Sequence, residues 1–263
     1  MDETLQNLDH LDPWVREHVV PFCHHILQSF PGRICSICLY GSAAVGDYIH
    51  KRSNINLMIM IDALHLEDLQ TLLHLMKRAR KKGIAAPLLL TPEHIATSTD
   101  AFPIEFLDMK EKHVNLYGTD PFIDLDIDLK NLRLQCEQQI KGKLIRLRQS
   151  YMELGLKKRP LAALLTASLT SLLPVLRNTI RLVQPTQQPP RSNEEIILRA
   201  CKDFQLDNEV FLDILKLKKG HTKPDMGMIT CIFEGYLDNL TTLAKHIDQI
   251  KVDCISVEDP DAA

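Results

Sequence analysis

Apolar positions along the first 120 residues change period several times, and each change marks an element. Leu11, Trp14, Val15, Val19, Phe22, Ile26 and Leu27 recur at helical spacing, and Pro31-Gly32 stops them, so an opening helix is predicted over Leu11 to Phe30. The run Ile34 to Tyr40 reads as a short buried strand, Gly41-Ser42 as a turn, and Ala43 to Ile49 as the start of a helix. Ile55 to Ile61 has β-branched residues at alternate positions and predicts a second strand. Leu66 to Arg80 is helical, with Leu66, Leu69, Leu72, Leu73 and Met76 as the expected inner face. Its basic end, Lys77, Arg78, Arg80, Lys81 and Lys82, suits the negative pole of the helix dipole. Ile84 to Leu90 predicts a third strand, Thr91-Pro92 an N-cap and first turn of a short helix, and Pro103 to Met109 a fourth strand.

Beyond Tyr117-Gly118-Thr119-Asp120-Pro121 the strand-like runs give way to long amphipathic patterns. A domain boundary is therefore expected near Pro121, with an α/β domain over 1–121 and a helical bundle over 122–256. Predicted helices cover Asp128 to Leu154, Leu161 to Val183, Ser192 to about Phe204, Asn208 to Lys219 and Gly227 to Ile250. Pro174 is expected to kink the second of these, and Ser192 with Glu195 forms a capping box for the third. Gln184 to Pro190 reads as a linker.

Charge and cysteine content narrow the function classes. With 31 basic and 34 acidic residues the net charge is -3, which disfavours general nucleic-acid binding. Lys130, Arg133, Lys141, Lys143, Arg146 and Arg148 enrich one helix in positive charge and read mostly as a solvated face. The N-terminal residues Met1 to Asp12 lack the basic and apolar regions of a secretory signal. Leu161 to Leu176 is interrupted by Thr166, Ser168, Thr170, Ser171 and Pro174, so it reads as a buried core helix and no membrane is expected as a partner. Seven scattered cysteines, Cys23, Cys35, Cys38, Cys136, Cys201, Cys231 and Cys254, suit a reducing compartment, and a cytoplasmic location is expected. Cys35 and Cys38 lie three apart on a predicted strand and so face opposite sides, which argues against zinc or redox use.

One constellation is more specific than the rest. Tyr40-Gly41-Ser42 closes an apolar strand. Asn54-Ile55-Asn56-Leu57 follows after Ala43 to Ser53 and opens the next. Together with Glu105 in Pro103 to Lys110 and the exit segment Leu116 to Pro121, this layout resembles the polymerase-β-like nucleotidyltransferases. The resemblance covers about residues 11 to 125. The helical half is similar in organisation to the companion domain of small-molecule and antibiotic nucleotidyltransferases.

It implies an α+β fold, a small mixed sheet flanked by helices and followed by a helical bundle. It further implies phosphate binding by Gly41 and Ser42, catalytic-type carboxylate positions at residues 54 and 56, and a third such position at Glu105 on a neighbouring strand. In that family two magnesium ions sit between the carboxylates and neutralise charge developing on the phosphates. Here both paired positions are asparagine, which carries no charge, and Asp47 and Asp108 are poorly placed to replace them.

The expected function is therefore that of a degenerate nucleotidyltransferase-like pseudoenzyme that keeps a nucleotide- or partner-binding role. The alternative is an active enzyme using magnesium with ATP or another NTP to transfer a nucleoside monophosphate to a small-molecule or protein hydroxyl. A protein partner or a homodimer through the helical domain is the remaining expectation.

Overall fold

Prolines and short polar side chains set where the helices start. In the computed structural model, which describes residues 4–50, 53–155, 157–190, 192–222 and 224–251, Asp12 accepts hydrogen bonds from the N–H groups of Trp14 and Val15 and Pro13 opens helix α1 (Pro13–Ser29). Val15, Val19, Phe22, Cys23 and Ile26 form its buried stripe. Cys254 and the last residues of the range 122–256 lie outside the described residues.

Strand β1 (Ile34–Tyr40) pairs antiparallel with β2 (Asn56–Ile61), which pairs in parallel with the short β3 (Leu88–Leu90). The fourth strand, β4 (His113–Gly118), runs antiparallel along the other side of β1, giving the order β3-β2-β1-β4. Ile37, Leu39, Leu57, Ile59 and Ile61 share a face with α1 and with α2 (Leu66–Ala79), and this is one hydrophobic core. The opposite face carries Cys38 and Met58, both fully buried, and then Tyr40, Asn56 and His113 toward its edge.

Three predicted elements come out differently. Pro103 to Met109 is not a strand: it is helix α4 (Pro103–Glu111), preceded by α3 (Pro92–Ser98). The run is too short for periodicity to decide between the two states. What decides is tertiary: Ile104, Phe106, Leu107 and Met109 are all buried, and the Ile104 N–H, an orphan of the first helical turn, donates to Gln135 Oε1 at 2.7 Å. The segment after Gly41-Ser42 makes a single 3₁₀ turn (Gly41–Ala43) and no helix, because its large apolar residues Val45 and Ile49 stay exposed and give a helix nothing to bury. Only Leu88–Leu90 of the third predicted strand is paired as a strand, with one further bridge from Ile84 to Ile55.

The inner face of α2 is also displaced. Leu72, Met76 and Ala79 are buried as expected, but Leu66, Leu69 and Leu73 are exposed and Asp68 points inward. Arg33 fixes this rotation by clasping Asp68 with two hydrogen bonds, at 2.7 and 3.0 Å, while the His65 N–H donates to the same carboxylate at 2.9 Å.

By contact the chain divides into two compact units, Met1–Thr99 with Glu105–Leu125, and Asp100–Ile104 with Asp126–Ala263. The second holds α5 (Leu129–Leu154), α6 (Lys158–Val183), α7 (Asn193–Phe204), α8 (Asn208–Lys219) and α9 (Met226–Gln249). Helix α6 packs against each of the other four. By length and composition it could cross a membrane, yet Leu161, Leu165, Leu169, Leu172 and Leu176 are buried in the bundle. It runs unbroken through Pro174. The Tyr236 hydroxyl, deep in this core, lies 3.1 Å from Ser168 Oγ, and its ring meets Phe211 edge-on.

Candidate functional site

The edge of the sheet brings together residues from three strands. Tyr40, the last residue of β1, lies opposite Asn56 on β2 and opposite His113 on β4. Directly opposed residues of antiparallel strands project from one face, so these three side chains leave the sheet on the same side. Tyr40 is half-buried, and loss of water raises its hydroxyl pKa above the usual phenol value.

The chain then turns at Gly41. Its N–H donates to the Lys112 carbonyl at 2.9 Å, which ties the turn to β4. Its φ of +77° is left-handed, where glycine is strain-free. A Cβ at this position would lie 3.4 Å from Asn56 Nδ2, so the amide of Asn56 borders the bare backbone of the turn. Ser42 follows within the 3₁₀ turn, half-buried, and its carbonyl accepts from the Asp47 N–H at 3.0 Å. Gly41, Ser42 and Asn56 thus form one patch, as their sequence pattern suggests.

Asn54 joins them through Ile55. The Ile55 N–H donates to the Gly83 carbonyl and its own carbonyl accepts from the Ala85 N–H, both at 2.9 Å. With the Ile55 side chain fully buried in the core, the residues on either side of it leave from the opposite face. Asn54 is exposed and Asn56 half-buried. Neither side chain makes a hydrogen bond among the described residues, so both amides are open to a ligand.

Glu105 is not part of this patch as a strand residue. It stands on the exposed side of α4, and the positions beside Asn56 in the sheet are Tyr40 on one side and the Ala85-Ala86 stretch on the other. Asp108 lies 3.5 Å from Lys112 Nζ, and Asp47 is exposed in the loop after the turn. Among the described residues no three His, Cys, Asp or Glu side chains gather as a metal-binding group. The donor set, two neutral amides, does not fit a two-magnesium centre, whose ions need anionic oxygen ligands.

His113 is the residue that sequence reasoning missed. Its Nε2 lies 2.9 Å from Asp120 Oδ2, its Nδ1 lies 3.0 Å from the Lys110 carbonyl, and its ring meets Phe122 edge-on at 4.7 Å. With both ring nitrogens engaged it offers no free base and serves to pin the exit segment to β4. Asp120 completes the clasp by accepting from the Phe122 N–H at 2.9 Å. The only hint in the sequence is that Asp120 falls in the Gly-Thr-Asp-Pro stretch that closes the first unit.

Below the edge, the same face is closed to solvent. Ser36 Oγ lies 3.2 Å from Asn115 Oδ1 and 3.5 Å from Cys38 Sγ, and burial pushes the Cys38 thiol up to about 12. Cys38 is therefore held as a neutral core residue. Cys35 is half-buried, and its thiol pKa is raised by burial and by Asp62.

No family model matches the sequence, and no curated protein matches it. Among solved structures the chain is similar to the spectinomycin adenyltransferase AAD(9) from Enterococcus faecialis, determined with ATP and spectinomycin. The TM-score is 0.53 at 10% sequence identity, and the match covers 84% of this chain and 98% of that one. A match over nearly the whole of that protein extends through the helical region as well as the sheet. The chain therefore has the nucleotidyltransferase fold, a small mixed four-stranded sheet flanked by helices and followed by a helical domain.

Proposed function

We propose that this protein binds the phosphates of a nucleotide at the Gly41-Ser42 turn and has lost efficient two-metal nucleotidyl transfer. The observation that carries the reading is the pair of open, uncharged amides at Asn54 and Asn56, the second bordering Gly41. Phosphate oxygens are acceptors, and an asparagine Nδ2 donates where a carboxylate would repel. A left-handed glycine without a side chain lets the anion approach the backbone closely. The patch is thus suited to an anion that arrives without its metal.

The fold neighbour was determined with ATP, which makes ATP the first nucleotide to try. Catalysis by the family's route needs charge on the metal ligands, and two amides in place of two carboxylates remove two negative charges from the site. Calorimetric titration of the protein with ATP, with and without magnesium, tests the reading. Binding that does not require magnesium, and that an Asn54→Asp, Asn56→Asp double variant converts to magnesium-dependent binding, supports it. Tight binding by the wild type only in the presence of magnesium overturns it and favours an active transferase instead.

A further inference from the structure

We propose that the exposed leucine ridge of α2 pairs two copies of this chain, antiparallel, about a twofold axis. The Arg33 clasp on Asp68 holds one flank of α2 against the core and leaves the opposite flank in solvent. On that flank Leu66 is 70% exposed, Leu69 43% and Leu73 56%, with Leu64 at 37% just before the helix. Spacing of three and then four residues stacks the three leucines in one stripe, which Lys77 and Arg80 continue. Single exposed leucines are ordinary on a protein surface, but a contiguous row of them marks an interaction site.

Charge selects the occupant. Asp62 and Glu67 lie exposed at the start of the ridge, Asp62 also accepting from Arg33 Nε at 3.2 Å, while Lys77, Arg78, Arg80, Lys81 and Lys82 crowd its end. A ridge that is acidic at one end and basic at the other complements a second copy of itself, provided the copy runs in the opposite direction. A twofold axis between Leu69 and Gln70 sets Leu66 against Leu73 of the second copy and brings Lys77 alongside the second copy's Asp62. The helix dipoles then also oppose. A parallel arrangement would set five cations against five. An acidic partner of another kind would use the basic end and leave Asp62 and Glu67 facing like charge.

The helix is about 21 Å long, from roughly 1.5 Å per residue, so one of its faces buries on the order of 500 Å² per copy. That is below the approximately 800 Å² per partner of a standard interface, and pairing is accordingly weak and set by concentration.

Sedimentation equilibrium between about 5 and 500 µM tests the proposal, over the range where weak association is governed by mass action. The expected result is an average mass that climbs toward twice the chain mass, and a Leu69→Glu, Leu73→Glu variant that stays monomeric throughout. Lys77→Glu should weaken pairing several-fold at low salt and much less at about 1 M salt, where charges are screened. Circular dichroism melts check that these surface variants fold. A wild type that is monomeric at the highest concentration, a double-Glu variant that still pairs, or a Lys77→Glu variant that pairs as tightly as wild type at low salt each overturns the proposal.

Discussion

Alanine at Gly118 and alanine at Gly41 impose the same backbone demand with very different room to meet it. The φ angles are +73° and +77°, so either alanine must adopt the left-handed conformation at a cost of about 1–2 kcal/mol. At Gly41 the new methyl group meets only Asn56 Nδ2, at 3.4 Å, which is ordinary contact, and the cost ends there. At Gly118 it would lie 2.0 Å from the Cys35 carbonyl oxygen, 2.9 Å from the carbon of that carbonyl and 3.2 Å from Ser36 Cα. These are backbone atoms of the neighbouring strand and cannot rotate away. Relief requires β4 to move off β1 by roughly 1 Å, the deficit against van der Waals contact.

That movement loosens three hydrogen bonds that tie β4 to other segments: Ser36 Oγ to Asn115 Oδ1 at 3.2 Å, Cys38 Sγ to the same oxygen at 3.5 Å, and Gln6 Nε2 to the Gly118 carbonyl at 3.2 Å. At about 1 kcal/mol each they bring the total for Gly118→Ala to about 4–5 kcal/mol, against about 1–2 for Gly41→Ala. Trp14 is the single tryptophan and sits in α1, stacked on His18 at 4.2 Å, so its fluorescence reports the unfolding of the sheet unit. With a urea m-value of about 2 kcal/mol/M, the two variants' midpoints should differ by about 1.5 M. Equal losses at the two positions would refute the reasoning, because they would show that β4 yields to the methyl group at no cost.

The remaining predictions concern charge and access. Hydrogen bonds from Arg33, with that of the His65 N–H, hold the Asp68 carboxyl down to about 2. A lowered carboxyl pKa stabilises the fold above the unfolded value near 4 and ceases to do so as pH falls through about 2. The urea midpoint of wild type should exceed that of Asp68→Asn by a constant amount from pH 5 to 7, and the gap should close between pH 4 and 2; a gap unchanged at pH 2 rejects the assignment. Magnesium at about ten times its dissociation constant should stabilise the Asn54→Asp, Asn56→Asp variant by about 1.4 kcal/mol, read as a rise in melting temperature, while leaving the wild type unmoved. A rise of equal size in both would defeat the donor-set argument. Iodoacetamide at pH 8 should label exposed Cys231, with Cys23 and Cys38, whose thiols burial pushes up to about 12, labelled only after denaturation. Peptide mapping of the folded protein checks this, and early label on Cys38 would count against a closed sheet face.

What the sequence disclosed was local chemistry, and what it concealed was rotation and pairing. The helix starts at Asp12-Pro13, Thr91-Pro92 and Ser192 are legible because an N-cap oxygen and a following N–H are close neighbours in the chain. The turn at Gly41 and the strand beginning at Asn56 are legible for the same reason: a β-run and the break after it are adjacent. By contrast, α2 has apolar residues on more than one flank, and the side that goes inward is chosen by Arg33, thirty-five residues before Asp68. The helical state of Pro103 to Glu111 depends on Gln135, thirty-one residues after Ile104. The surroundings of Glu105 fit either period, and the partner of the Ile104 N–H shows which one holds. His113 lies beyond a pattern argument altogether, since nothing near it in sequence distinguishes it from the other histidines.

These two kinds of legibility bear differently on function. Strand pairing brings residues of the local pattern together, Tyr40 opposite Asn56 and Asn56 Nδ2 beside Gly41. The resemblance implies a third carboxylate at Glu105 on a neighbouring strand, whereas Glu105 stands on helix α4. With charge absent at 54 and 56, and with Tyr40 and the Ala85-Ala86 stretch beside Asn56, no carboxylate flanks Asn56 in the sheet among the described residues, and Asp120 at the same edge is held by His113 Nε2 at 2.9 Å. In the family's chemistry such an edge must be anionic to collect metal ions, and the metal ions then collect the phosphates. On the proposed reading the amides of Asn54 and Asn56 and the Gly41-Ser42 turn meet the phosphate directly. A hydrogen bond to an ionised acceptor is worth about 1.5–3 kcal/mol, so a few such donors give measurable affinity for phosphate. They provide no means of lowering a hydroxyl's pKa. The proposed reading is therefore binding without turnover, and the dependence of ATP affinity on magnesium is the quantity that separates it from an enzyme.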